Sequence, residues 1–99
     1  MEIQTTLVFF KTSGFTLASS CQERLEKEIV ALVNEAVTKS RERQANDRTT
    51  NGIEAKGKSY MRLVAKNMIE EGKQRGLKVL DEKVFEAARK VLGPLPPLA

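Results

Sequence analysis

The chain has 99 residues, 40% of them hydrophobic and 30% charged, with a formal net charge of +4 and few aromatics. That composition fits one folded domain with an aliphatic core and excludes wholesale disorder. The absence of histidine removes the commonest general base, the histidine-activated nucleophiles and the most frequent transition-metal ligand.

Residues Ile3 to Phe10, IQTTLVFF, are β-branched and aromatic, with Ile3, Thr5, Leu7 and Phe9 on one parity. A short N-terminal strand is the first reading, a short helix the alternative. Thr12-Ser13-Gly14 ends the element with turn chemistry. Ser20 and Glu23 form a capping box that predicts a helix start. Leu25, Ile29, Leu32, Val33, Ala36 and Val37 then recur at helical spacing. From Lys39 to Thr50 the apolar stripe stops, so the helix either runs on as a solvated arm or frays. Asn51-Gly52 and Gly57 make residues 46–57 read as a mobile connection.

A second helix is predicted from Ser59, with Tyr60, Met61, Val64, Ala65, Met68 and Ile69 on its apolar face and Gly76 as its left-handed end. Leu77 to Leu80 reads as a short extended piece. Asp81 is an N-cap for a third helix whose stripe is Val84, Phe85, Ala88, Val91 and Leu92. Gly93-Pro94 stops it, and the proline-rich tail reads as polyproline-like and loosely held. The predicted fold is mainly α: a small helical domain over residues 1–93, with three principal helices at about 20–45, 59–75 and 81–92, the short N-terminal strand, the extended piece at 77–80, and a tail at 94–99.

Few residues carry chemistry. Cys21 stands alone, so no disulfide can form within the chain, and a reducing, cytoplasmic setting is expected. Its place beside a helix N-terminus would favour a thiolate, but no base or second cysteine accompanies it, and a small apolar residue in a packed turn is the simpler reading. Glu70-Glu71 and Glu82 with Glu86 read as solvated carboxylates, and Met61 and Met68 as core filler. Gly52 to Ser59, GIEAKGKS, satisfies the bare G-x-x-x-x-G-K-[ST] pattern. The preceding residues are polar rather than strand-like, however, and Glu54 would face the phosphates, so nucleotide hydrolysis is not expected. Pro94 and Pro97 form a PxxP without a flanking cation, read as a helix stop. No apolar run approaches the ~20 residues of a membrane span, and the start lacks a secretory pattern. No cofactor or metal is expected.

Charge is uneven. Between Lys39 and Lys66 eight cations accompany three anions. Lys39, Arg41, Arg43, Arg48, Lys56, Lys58, Arg62 and Lys66, with Thr49, are therefore the candidate nucleic-acid contacts. The segment has no interleaved aromatics for base stacking.

Two family likenesses follow from particular residues. Tyr60, Arg62, Ala65-Lys66, Ile69-Glu70, Gly76, Val84, Ala88-Arg89 and Leu92-Gly93 resemble the small C-terminal domain of the B subunit of light-independent protochlorophyllide reductase, over residues 60–93. Leu80 stands where that family usually has Thr, and Gly72 where it has Ala. The likeness implies a helix–turn–helix interaction module, without the iron–sulfur chemistry, for which this chain lacks the cysteines. The order long helix, Gly76, extended piece, Asp81 cap and last helix is also similar to the archaeal histone fold, with Arg48-Thr49 in place of the Arg-Thr pair that such a loop presents to DNA. A histone has no second long helix between those parts. The expectation is thus a non-catalytic helical protein-interaction module, its partner another protein or a second copy in a homodimer. The alternative is a basic, histone-fold-like nucleic-acid-binding protein using residues 39–66.

Overall fold

The computed structural model describes residues 1–98. Its spine is a pair of long helical rods. Ser19–Leu25 (α2) passes through a π turn, Glu26–Val30, into Ala31–Glu42 (α3), and the chain reverses into the 29-residue helix Asp47–Arg75 (α4). A helix of that length spans about 43 Å, which accounts for the 47 Å long axis. Val79–Leu80 (β2) and Glu82–Leu92 (α5) follow; Gln4–Thr12 (α1) and Thr16–Leu17 (β1) precede. The fold is mainly helical, as the periodicities indicate.

The N-terminal strand expected at residues 3–10 is instead helix α1. Ile3, Thr6 and Phe10, at helical spacing, are all buried, and α1 packs on α4. Burying that stripe outweighs the strand preference of the β-branched residues. Gly14 ends the helix at φ 87°, with Phe15 N–H donating to the Phe10 carbonyl and Gly14 N–H to that of Lys11; this is a Schellman closure, which needs the left-handed residue. Gly76, at φ 67°, closes α4 the same way.

The true strand is β1, paired parallel with β2 through Thr16 with Val79 and Leu17 with Leu80. Ala18 N–H donates to the Leu80 carbonyl. This holds Ala18 extended and starts α2 at Ser19, with no side-chain cap. The Ser20–Glu23 capping box is therefore not formed: pairing to β2 fixes the helix entry instead. From α2 through α3 the buried apolar side chains are Cys21, Leu25, Ile29, Val33 and Val37. A four-residue repeat drifts about 40° per step around a 3.6-residue helix. The wider π turn at its centre returns the stripe to the core.

Residues 46–57, expected as a mobile connection, form the first turns of α4. Asn46 caps them, its Oδ1 accepting from Thr49 N–H at 2.8 Å. Thr50, Ile53 and Gly57 face inward, and the buried Ser40 and Thr50 hydroxyls bond at 2.9 Å across the hairpin. These contacts outweigh the helix-weakening Asn51-Gly52 pair. The core joins all the helices and includes Phe10, Leu25, Ile29, Met68, Leu80 and Phe85, each fully or almost fully buried. Asp81 caps α5 by accepting from Lys83 and Val84 N–H. Leu95 and Leu98 lie half-buried against the core, so the tail is not free of the body.

Candidate functional site

Glu2, Thr5 and Phe9 follow one another at helical spacing, a third of a turn from the buried Ile3, Thr6 and Phe10. They form one wall of an open groove of about 790 Å³ between α1 and α4. Phe9 is 43% exposed, and its ring meets the edge of the buried Phe10 ring at 6.4 Å between centroids. The floor is Met61 and Ala65 of α4. The opposite rim is Lys58, Arg62 and Lys66, which repeat every fourth residue and so stand above one another on one face of the helix. Lys58 reaches Glu54 at 3.9 Å. Arg62 and Lys66 have no carboxylate within 4 Å among the described residues.

The nine basic-segment residues therefore divide. Lys58, Arg62 and Lys66 come together at the groove. Arg41 and Arg43 lie at the end of α3, and Arg48 and Thr49 in the first turn of α4, all exposed at the tip of the hairpin. Lys39 is tied to Glu35 at 3.0 Å. Lys56 is exposed on α4 but does not line the groove. Arg48 and Arg62 are fourteen residues apart on one helix, about 21 Å, so a single continuous basic patch is not formed. The groove residues Glu2, Thr5, Phe9 and Ala65 were absent from the sequence-derived set. Only the helical alternative for residues 3–10 puts the first three on a common stripe, and that is the signal for them.

A second cluster lies where α5 meets α2. Arg24 binds Glu28 at 2.7 Å and Glu86 at 2.6 Å; the Glu28 bond first and the Glu86 bond second raise its pKa further above the ordinary arginine value. Arg89 reaches Glu28 at 3.2 Å. Its guanidinium lies 5.5 Å from the Phe85 centroid and 5.7 Å from that of Tyr60. The Tyr60 hydroxyl donates to the Gly93 carbonyl at 2.7 Å. These groups fasten α5, with Glu28 and Glu86 each engaged by an arginine.

The remaining candidates resolve plainly. GIEAKGKS is helical throughout, so its amides serve the helix rather than a phosphate. Gly57 is there because a side chain at that point would collide with Val33: a Cβ would lie 2.5 Å from its Cγ2. Among the described residues, no three metal-ligating side chains converge, and no helix is long and apolar enough to cross a membrane.

Cys21 is fully buried. Burial, aided by the Asp81 and Glu82 carboxylates against the opposing Arg24, pushes its thiol up to about 11 from the ordinary 9.0. Thiolate is therefore scarce at neutral pH, and native Cys21 should react with a soluble disulfide reagent at pH 8 only as fast as the chain opens. Between pH 9.0 and 11 the unfolded thiol has lost its proton while the native one keeps it, so stability should fall as pH rises through that window. Thiol-reaction rates and urea midpoints at pH 8 and 10, compared with Cys21→Ala, check both; rapid native labelling at pH 8 would contradict the buried placement.

The fold and groove define a small helical domain built on a two-rod hairpin, with an open furrow edged by cations. No protein-family model, curated protein or solved structure matches the chain.

Proposed function

We propose that this chain is a non-catalytic protein-interaction module whose contact face is the groove between α1 and α4. The supporting observation is the exposure of Phe9 (43%) on the wall of a furrow whose floor, Met61 and Ala65, belongs to the buried core. An aromatic side chain left exposed at the wall of a groove is a usual anchor of protein contacts. Selection from a random display library of about 16-residue peptides against the full chain tests this reading. Recovered binders should compete with one another and weaken about tenfold or more on Phe9→Asp, since an apolar anchor is worth about 1.4 kcal/mol or more. They should ignore Val91→Asp, an exposed change on α5. Binders indifferent to Phe9→Asp would contradict the assignment.

A second reading rests on a different observation: Arg41, Arg43 and Arg48 are exposed and free of ion pairs among the described residues, at the tip where α4 begins. A helix N-terminus beside free cations favours phosphate. On this reading the tip holds a nucleic-acid backbone. Affinity for a DNA duplex would then fall steeply with salt and vanish when all three arginines are neutralised; no binding at low salt eliminates it.

A further inference from the structure

We infer that the occupant of the α1–α4 groove is an acidic amphipathic helix of another protein, about three turns long. This rests on the reading of the groove as a protein-contact face and adds the chemistry of what fills it.

The shape is that of a trough. Along α4 it runs from Glu54 to Lys66, about 18 Å, the length of a helix of some twelve residues. One wall is itself a helix, and the floor carries a methionine and an alanine. Both are almost fully buried, 2% exposed each, so the apolar surface the trough presents is chiefly the Phe9 ring on the α1 wall. An amphipathic helix laid along the trough with its apolar side on the Phe9 ring is the helix-in-groove mode of recognition.

The rim decides the sign of the partner's charge. Arg62 and Lys66 lack carboxylate partners among the described residues, whereas Lys58 already has Glu54; Glu2, on the opposite wall, is the one unpaired carboxylate of the lining, so the unpaired cations outnumber it two to one. Their separation of four residues is about 6 Å of helix, matching two carboxylates spaced i and i+4 on a facing helix. A basic partner would be repelled by both.

Other occupants fit less well. A fatty-acid carboxylate is a single anion and would leave one of the two cations unused. A nucleic-acid backbone would lay its phosphates over an apolar floor that offers them no donor.

The test uses the full chain, isotopically labelled, and follows amide shifts during titration. The probes are an acidic amphipathic 14-residue peptide, its Glu-to-Lys counterpart, laurate, and a 12-base-pair DNA duplex. The acidic peptide is expected to shift Thr5, Phe9, Arg62 and Lys66, and to bind at least about tenfold more tightly than the basic one. The exposed double change Arg62→Glu with Lys66→Glu should invert that preference, so that gain of the basic peptide reports a folded, redirected groove. Equal binding of both peptides at these amides overturns the acidic occupant but leaves the contact face standing. Groove shifts caused by laurate or duplex but not by the acidic peptide overturn the inference, as do groove shifts that depend on protein concentration alone, which would place a second copy there. If no peptide moves the groove amides, the contact-face reading falls with it.

Discussion

Replacing Phe85 by alanine should lower the free energy of unfolding by about 3–5 kcal/mol. Phe85 is fully buried in α5, and its ring also receives two guanidiniums, Arg24 at 5.0 Å and Arg89 at 5.5 Å. Truncation leaves a cavity and strips Arg24 of its aromatic face, worth roughly 0.5–1 kcal/mol at such a site, while Arg89 keeps only the Tyr60 ring. A domain of this size has about 5–15 kcal/mol in total, so the variant should lose a large share of its stability. Val91 is 76% exposed on the same helix, and Val91→Ala should stay within about 0.5 kcal/mol of the parent. Urea titrations followed by far-ultraviolet circular dichroism compare the two. A Phe85→Ala loss below about 1 kcal/mol would mean that α5 does not pack on α2 and α4 as described.

The second large effect is expected at the crossing of α3 and α4. Gly57→Val forces a Cβ to within 2.5 Å of Val33 Cγ2 and 2.6 Å of Cγ1. Valine cannot swing its methyls aside freely, so the two rods must separate. Overpacking of this kind costs about 1–3 kcal/mol, only slightly offset by the better helix propensity of valine over glycine, a few tenths of a kcal/mol. The site of the clash can be proved by relief. Val33→Ala alone creates a void, but in combination with Gly57→Val the two changes should be less damaging than their sum by about 1 kcal/mol or more. Gly52 supplies the opposite sign in the same helix. Nothing lies within 4 Å of a Cβ there, so Gly52→Ala should stabilise by about 0.5–1 kcal/mol. Strict additivity of Gly57→Val and Val33→Ala would contradict the close contact.

Punctuation of the C-terminal half was legible from residue types. Gly76, Asp81 and Gly93 act where glycine and aspartate have unambiguous physical roles, and the stripe Val84, Phe85, Ala88 has room for only one period. The beginning of α4 was not legible. Asn51, Gly52 and Gly57 are loop residues by local preference, and only Val33 on the opposite rod explains why the last must be glycine. The N-terminal segment failed for a related reason. Eight residues of mixed apolar and threonine character fit both a two-residue and a three-to-four-residue period, and the deciding contact is with α4, some fifty residues away. Because the groove needs α1 as a helix, the candidate site was hidden by the same ambiguity. Its cationic rim was visible as composition, but Lys58, Arg62 and Lys66 could not be separated from Arg41, Arg43 and Arg48 until the uninterrupted helix fixed their distance.

The groove can be tested without touching a charge or a buried side chain. Thr5 is exposed on the α1 wall, and Thr5→Trp would fill the trough with an indole while leaving core and rim intact. With circular dichroism unchanged, the affinity of a groove-selected or acidic amphipathic peptide should drop by about tenfold or more, since a blocked anchor site forfeits at least 1.4 kcal/mol. Undiminished affinity for the tryptophan variant would show that partners do not enter between α1 and α4.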